Sequence, residues 1–436
     1  MLPEEATPAI DSGDPVTAGT GIPDTTAEPV PLRRNRSFNL LWLGSLWAVM
    51  GIEVADIGYP LVILALTGSP ARAGLFGVVQ TTALLLAGLP AGDLVDRYDR
   101  RRVLLSVETC RAVATASVVV AIAAHRLTLV HLLAVAAVVG AAQPFTSATR
   151  MLLLRAAVPS AQLTAALTAD EVRVTSAGLA GPPLGGLLYG IGQVLPFLFT
   201  TVSFTVSWLL ALVVRLPART ADPGSDPPAP DGGSGSTWTR MFAGIGVLWR
   251  DPTLRAATFL VTVFNAVVAP LALVTVVILR QRSTPPALIG VAMAGLAVGG
   301  LAGTALIGPL HRRFRPGVLL LGFAVIEIPL LVLLVVPLGP WWVGGVLVCV
   351  GLGVPAMRVL VDVLIFRPIP DERRGRTIAT VITLFGLGVP VGTAAGGLLL
   401  EYVGATTTML VLAGALALFV GYAIIRPELR HAGLSG

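Results

Sequence analysis

The chain has 436 residues, of which 55% are hydrophobic and only 12% are charged, and its formal net charge is +6. Soluble domains carry about 25% charged residues, so a chain this apolar cannot cover a water-facing surface, and a soluble globular protein is excluded. The 30 basic residues are all arginine. They lie in short clusters between apolar runs rather than on one basic face, which argues against nucleic-acid binding.

Residues 1–36 begin with an acidic stretch that is rich in Pro, Thr and Gly. This stretch lacks the apolar segment that a signal peptide requires, so we predict that 1–36 is a disordered cytoplasmic tail. Twelve apolar segments follow, each long enough to cross about 30 Å of hydrocarbon as a helix. They are residues 38–66, 71–95, 102–124, 129–149, 165–190, 195–216, 254–279, 286–310, 316–337, 341–365, 377–402 and 405–425. The pattern predicts an all-α membrane protein, because no ten-residue alternation indicates a β-barrel.

A polar stretch at 217–236, rich in Pro, Gly, Ser and Asp, separates the first six spans from the last six. Such a composition cannot form a packed core or cross a membrane. Residues 237–250 place their large apolar side chains near one helical face, which predicts an interfacial amphipathic helix. The predicted domains are listed here: helical bundles at 37–216 and 254–426, a cytoplasmic linker at 217–253, and a second tail at 427–436.

The two halves repeat each other. Shifting the fifth span by 211 residues places Pro159 on Pro370, Gly181 on Gly392, and the pair at 185–186 on the pair at 396–397. The end of span 2, GDLVDRYDRRR, has a weaker echo after span 8 at an offset of about 216. Two six-helix repeats predict a central site at their interface, near the middle of the bilayer.

Arginine placement predicts the orientation. If the N-terminus is cytoplasmic, 23 arginines lie in the inner segments, 4 in the outer loops and 3 within spans. This is a strong positive-inside bias. We therefore expect both termini on the cytoplasmic side of the cell inner membrane.

The segment between spans 2 and 3 carries the most specific motif. Residues 92–101 read GDLVDRYDRR. They resemble the loop 2–3 signature of the major facilitator superfamily, G-x-L-a-D-R-x-G-R-K/R, with Asp99 where the signature has Gly. The resemblance covers residues 37–426 and implies two pseudo-symmetric six-helix bundles that work as a secondary transporter. By this resemblance, a gating charge network ties the halves together on the cytoplasmic side in the outward-facing state; its candidates are Gly92, Asp96, Arg97, Arg100, Arg101 and Asp170.

A second motif lies in span 5, where residues 181–186 read GPPLGG. It resembles the antiporter signature of exporters, g-x-x-x-G-P-x-x-G-G, with the leading glycine displaced by one position. The candidate helix-packing residues are Gly181, Pro182, Gly185 and Gly186. Small residues permit close helix approach and proline bends a helix. The alternative is that this segment only reflects the small residues that are common at any membrane helix interface. The region 60–70 is also similar to the drug and siderophore exporter branch.

Ionisable side chains within hydrocarbon are expensive and need a reason to be there. Glu53 and Asp56 lie three residues apart on one face of span 1, where two carboxylates are not both easily ionised. We predict that one of them exchanges a proton for substrate; a pair bound to a neighbouring helix is the alternative. Arg150 and Glu327 are further proton-coupling candidates, whereas Glu108 and Arg111 are expected to pair with each other.

The predicted cargo is a small amphipathic molecule, held in a cavity lined by Trp42, Trp47, Phe145, Phe204 and Phe264. Neither cysteine pattern nor histidine spacing indicates a metal site, and a chain without lysine cannot form a nucleotide-binding P-loop, so we expect no cofactor. The expected partners are the cargo, protons and the lipid bilayer, with a monomeric protein. A nutrient importer of the same fold is the main alternative; a membrane-embedded enzyme and a non-transporting receptor are further ones.

Overall fold

The structure is a computed structural model that describes residues 31–214, 252–314, 316–361 and 371–425. Within these ranges it consists of α-helices and two short 3₁₀ helices, at Leu32–Arg34 and Ser160–Gln162. The first half contains α1 (Arg36–Thr67), α2 (Pro70–Arg97), α3 (Arg100–Ala123), α4 (Leu129–Ala157), α5 (Leu163–Ile191) and α6 (Leu195–Val213). The second half contains α7 (Pro252–Val268), α8 (Leu271–Gln281), α9 (Pro286–Arg313), α10 (Pro316–Leu333), α11 (Pro340–Val361), α12 (Asp371–Tyr402) and α13 (Gly404–Ile425).

Helix starts in the first half follow local capping chemistry. The side chains of Asn35, Ser69, Asp99 and Thr128 each accept a hydrogen bond from a backbone N–H in the first turn of α1, α2, α3 and α4, respectively. These bonds satisfy amide groups that have no partner inside the helix. Asp99, which replaces the glycine of the loop 2–3 signature, therefore has a local structural role as the cap of α3.

The described helices agree with the predicted spans, with one difference. The seventh span, predicted as one helix over 254–279, is two helices that meet at Pro270, because proline lacks the N–H needed to continue the helical ladder. Nine segments of the described residues are long and apolar enough to cross a membrane, and shorter apolar helices lie at Leu321–Leu333 and Pro340–Pro355. Helix α5 (Leu163–Ile191) corresponds to the remaining one of the twelve predicted spans. The predicted amphipathic helix at 237–250 lies outside the described residues.

Helix α5 lies between α1 of its own half and α9 of the other half. A Cβ atom added to Gly185 would lie 2.7 Å from the carbonyl oxygen of Val54 in α1, and one added to Gly186 would overlap the carbonyl oxygen of Pro286 in α9. Only glycine permits such close approach of two backbones. The GPPLGG segment is therefore the place where three helices meet.

Helix α12 makes the corresponding contacts in the second half. A Cβ atom on Gly396 would overlap Pro270, and one on Gly397 would lie 3.0 Å from the Cα atom of Gly74 in α2. Gly396 and Gly397 stand 211 residues after Gly185 and Gly186, and Gly290, which meets α5, stands 216 residues after Gly74. The two offsets found in the sequence therefore correspond to equivalent contacts between the halves.

The two ends of the helices differ in charge. We call the end that holds residues 68–69, 124–128, 192–194, 282–285 and 334–339 the arginine-poor end, and the opposite end the arginine-rich end. At the arginine-poor end the halves are joined by hydrogen bonds. Glu401 Oε2 of α12 accepts from Ser69 Oγ at 2.8 Å and from the Ala71 N–H at 3.2 Å, and Arg280 donates to the Leu61 carbonyl at 2.9 Å.

Candidate functional site

A cavity of about 810 Å³ lies between the two halves. Helices α1 and α5 line it from the first half, and α8, α9 and α11 line it from the second. Most of its lining is apolar, and this set includes Ile57, Val174, Met293, Leu296, Ala297, Leu301 and Val354. The central cavity is therefore built from both repeats, as expected from the internal symmetry.

Two carboxyl groups of α1, those of Glu53 and Asp56, line the central cavity. Glu53 is half-buried and Asp56 is exposed to the cavity. Neither side chain makes an ion pair within the described part of the chain. The central cavity thus holds two adjacent carboxyls that face mainly apolar side chains, with Glu171 of α5 as a third carboxyl in its lining. Proton loading of the α1 pair reduces the negative charge in this cavity.

The GPPLGG segment positions these carboxyls. A Cβ atom added to Gly181 would overlap the Cβ of Glu53, and Pro182 lines the central cavity beside it. The small residue at 181 thus lets the backbone that carries Glu53 approach α5 closely. The packing motif and the carboxyl pair, which the sequence suggested separately, lie at one place in the structure.

Arg150 of α4 belongs to a buried cluster in the first half. Its Nη2 atom lies 2.6 Å from Glu108 Oε1 and 2.7 Å from Ser207 Oγ. Arg111 lies 3.8 Å from the same Glu108 oxygen, and its guanidinium stacks 4.2 Å from the ring centre of Phe204. The expected Glu108–Arg111 pair exists, but the shorter contact of Glu108 is with Arg150, 42 residues away in sequence.

Glu327 lies in the interior of the second half. It is 5% exposed, its Oε1 atom has no hydrogen-bond partner among the described residues, and it lines a cavity of about 410 Å³. The neighbouring lining is apolar and includes Phe264 and Phe323. The structure does not bring Glu327 together with the carboxyls of α1, although Val354 lines both cavities.

The five aromatic candidates for the cargo cavity occupy different surroundings, and none of them is among the residues that line the central cavity. Trp42 lines a smaller cavity inside the first half and donates a hydrogen bond to the Ala169 carbonyl at 2.9 Å. Trp47 packs on Phe199 with ring centres 6.0 Å apart, and Phe145 is half-buried in α4. Phe204 lies beneath Arg111, and Phe264 lies in the cavity of Glu327.

A comparison with known proteins identifies the family to which the chain belongs. The family model of the Major Facilitator Superfamily matches residues 41–367 and 257–434. The chain belongs to the Major Facilitator Superfamily. It is therefore a membrane transporter of small molecules and not an enzyme, with the all-α fold that the sequence predicted.

Relatives within this superfamily include efflux proteins. The chain is 26% identical over 404 residues to the multidrug efflux pump Tap of Mycobacterium tuberculosis, covering 91% of this chain and 94% of that protein. It is 24% identical to the pump of the same name from Mycolicibacterium fortuitum, over 91% of this chain and 97% of the relative. The alignment spans nearly the whole of each protein, so both bundles take part in the similarity.

Solved structures of Major Facilitator Superfamily transporters share the fold. An inward-facing, unoccupied bacterial homolog of the human lysosomal transporter Spinster aligns with a TM-score of 0.71 and 16% identity, covering 92% of this chain and 98% of that chain. The nucleoside transporter NupG aligns with a TM-score of 0.70 and 14% identity, over 89% and 98% of the two chains. An inward-facing bacterial homologue of ferroportin aligns with a TM-score of 0.69 and 18% identity, over 89% and 98%.

The superfamily's loop 2–3 signature lies at the arginine-rich end. Asp96 and Arg97 are exposed, and Asp96 makes no ion pair with any residue that the structure describes. Arg101 donates to the Leu212 carbonyl of α6, and Arg100 begins α3. A Cβ atom on Gly92 would have no neighbour within 4 Å. Among the contacts of the described residues, none of these signature side chains joins the two halves.

Asp170, the remaining gating candidate, pairs locally. Its Oδ1 atom accepts from Arg173 Nε at 3.0 Å and Nη2 at 2.7 Å, within one turn of α5. Both side chains line the smaller cavity of the first half together with Arg150. Asp170 thus faces the smaller cavity of the first bundle, and its described ion pair is with Arg173 rather than with the loop 2–3 signature.

Sequence reasoning missed two groups that the structure places between the halves, because Glu401 and Arg280 join them at the arginine-poor end. Arg173, which the sequence places beside Asp170 in a predicted cytoplasmic charge network, lines the smaller cavity with Arg111 and Arg150. One signal for Glu401 was available, because it ends the repeated segment whose first-half counterpart ends at Gly190. A carboxylate at the end of an apolar span, where its repeat has glycine, points to a role specific to one half.

Proposed function

We propose that this chain exports a small amphipathic molecule across the cytoplasmic membrane in exchange for protons. The observation that carries the proposal is the central cavity, which both halves line and in which Glu53 and Asp56 face predominantly apolar side chains. An apolar wall suits the hydrophobic part of a cargo, and the carboxyls suit a polar or cationic part. The same carboxyls can bind protons when the cargo has left.

The orientation follows from the arginines. The positive-inside rule assigns the arginine-rich end, and with it both termini, to the cytoplasm. The halves are joined at the arginine-poor end through Glu401 and Arg280. With this orientation the described conformation is closed to the outside, and the central cavity loads its cargo from the cytoplasmic side.

Exchange requires that cargo and proton compete for one site. Cargo bound in the central cavity favours the ionised carboxyls, and the bundles then open to the outside, where protons replace the cargo. The protonated pair carries less charge through the apolar interior than two ionised carboxylates would. Protonation therefore makes it easier for the empty cavity to return to the cytoplasmic side. Arg150 and Glu327 lie outside this cavity, so in this scheme they modulate the step and the α1 pair carries the proton.

Two features favour export. The GPPLGG segment resembles the antiporter signature, and it packs directly on the residue that we assign to the proton. The relatives from Mycobacterium tuberculosis and Mycolicibacterium fortuitum are named as multidrug efflux pumps. We propose that the protein works as a monomer in the cell inner membrane, since one chain supplies both sides of the central cavity.

The test is flux in reconstituted vesicles under an imposed pH gradient, with fluorescent antibiotics as cargo. We expect vesicles with an acidic interior to accumulate the antibiotic as protons leave, and we expect Glu53→Gln and Asp56→Asn to lose at least about tenfold of the gradient-driven rate. Asp99→Asn is the matched control, because Asn keeps the cap of α3 while removing one carboxylate. Full gradient-driven flux in both α1 variants would reject the proton role of this pair.

Proton-coupled import is the second candidate, since the fold is shared with the nucleoside transporter NupG. The same vesicles separate the two. An importer that moves cargo with protons accumulates it when the outside is acidic, whereas the exchanger accumulates it when the inside is acidic.

A further inference from the structure

A second cavity, of about 290 Å³, lies inside the first half and is formed by α1, α3, α4 and α5. Three arginine side chains line it, those of Arg111, Arg150 and Arg173. Val174 lines both this cavity and the central one, so the two lie side by side. The proposed export mechanism assigns no ligand to this arginine cavity.

Two carboxylates are in direct contact with the three guanidinium groups of the arginine cavity. Glu108 pairs with Arg150 at 2.6 Å and with Arg111 at 3.8 Å, and Asp170 pairs with Arg173 at 2.7 Å. Two carboxylates thus contact three guanidiniums. Asp56 and Glu171, which line the neighbouring central cavity, also interact electrostatically with Arg111 and Arg173, respectively. The side chains of Arg111 and Arg173 are buried, so their guanidinium groups lie largely out of contact with water.

The same guanidiniums have unused hydrogen-bond donors. Arg111 Nε and Nη2, Arg150 Nε and Arg173 Nη1 are buried and have no partner among the described residues. A buried charged donor without a partner costs free energy, which an anionic ligand would recover after a small rotation of these side chains. The planar guanidinium matches the two oxygens of a carboxylate better than it matches a neutral group.

The rest of the cavity wall selects the ligand class. Leu41, Trp42, Val49, Ile52 and Leu154 give it a large apolar face. A small inorganic anion would leave this face against water, whereas an organic acid covers it with its hydrocarbon part. We propose that the arginine cavity binds the carboxylate of a small organic acid. That such an acid is a cargo, or part of one, rests on the proposed export function.

The test is calorimetric titration of the purified full-length protein with benzoate, and with benzamide as a neutral analogue of nearly the same shape. We expect benzoate to bind at least about tenfold more tightly than benzamide, since only benzoate can accept charge-assisted hydrogen bonds from the unpartnered guanidinium donors with an ionised group of its own. Arg173→Gln is expected to weaken benzoate binding by about tenfold or more. Arg72→Gln, at an exposed site on α2, removes the same charge elsewhere and should leave binding unchanged.

A second variant covers the case in which loss of an arginine disturbs folding. Gln143 lines the same cavity, and Gln143→Glu keeps the side-chain shape while placing a fixed carboxylate beside the guanidiniums. We expect this variant to fold with an unchanged melting temperature and to lose benzoate binding. Equal affinity for benzoate and benzamide, or full benzoate binding by Gln143→Glu, would overturn the inference. The titration needs no flux, so a failure of proton-driven export does not alter its outcome.

Discussion

The contact between Glu401 and the start of α2 provides a direct test of how the arginine-poor end is held closed. Glu401 Oε2 accepts from Ser69 Oγ at 2.8 Å and from the Ala71 N–H at 3.2 Å. The carboxylate comes from one half and the helix start from the other, so both bonds must break when the halves separate at this end. The negative charge also faces the positive N-terminus of α2, which adds to the attraction.

The size of the effect follows from these two bonds. Hydrogen bonds to charged groups contribute about 1.5–3 kcal/mol when they are protected from water. Glu401 is exposed, so water competes, and we expect about 0.5–1 kcal/mol for each bond. Glu401→Ala should then destabilise the closed arrangement by about 1–2 kcal/mol, which changes the ratio of closed to open molecules by about 5- to 30-fold. Glu401→Gln keeps an acceptor oxygen and should have less than half of this effect.

The assay is a distance measurement between spin labels at Arg126 and Leu338, which are exposed at the arginine-poor end of the two halves. The free cysteines Cys110 and Cys349 are first replaced by alanine. We expect Glu401→Ala to enlarge the long-distance population by the stated factor. Tyr402→Ala, at an exposed neighbouring residue, is the control. If both alanine variants give the wild-type distance distribution, the two hydrogen bonds do not hold this end closed.

Two further predictions concern stability in detergent, measured by thermal unfolding. Gly290→Ala places a methyl group against the Pro182 carbonyl oxygen and should lower the free energy of unfolding by about 1–3 kcal/mol. The control is Gly345→Ala, which should be neutral because a Cβ atom there has no neighbour within 4 Å. Equal melting temperatures for the two variants would contradict the close helix contact. Glu108→Gln leaves Arg150 without its buried counter-charge and should cost about 3–5 kcal/mol, so a wild-type melting temperature for this variant would mean that the pair is not formed.

Much of the fold was predictable because its causes are local in sequence. An apolar run of sufficient length must cross the bilayer as a helix, since lipid offers no partner for a free backbone group. Proline at 270 interrupts a helix for an equally local reason, although we predicted an unbroken span there. The repeat at an offset of 211 residues also predicted which glycines are equivalent, and the structure gives them equivalent contacts at Gly186 and Gly397.

The candidate site was only partly predictable, because helical periodicity shows which side chains share a face but not which way that face is turned. Glu53 and Asp56 were expected together, and they are. Nothing in the sequence showed whether Phe204 or Trp47 faces a cavity, a neighbouring helix or lipid, since aromatic side chains suit all three.

Sequence alone thus determined the class of protein, the number of spans and the bias of arginine to one end, since each depends on composition along a single segment. Tertiary structure decided the partners of the charges. Arg150 finds Glu108 42 residues away, and Ser69 finds Glu401 332 residues away. Such pairs depend on how separate helices rotate and approach one another, and that is fixed by the packing of all of them together.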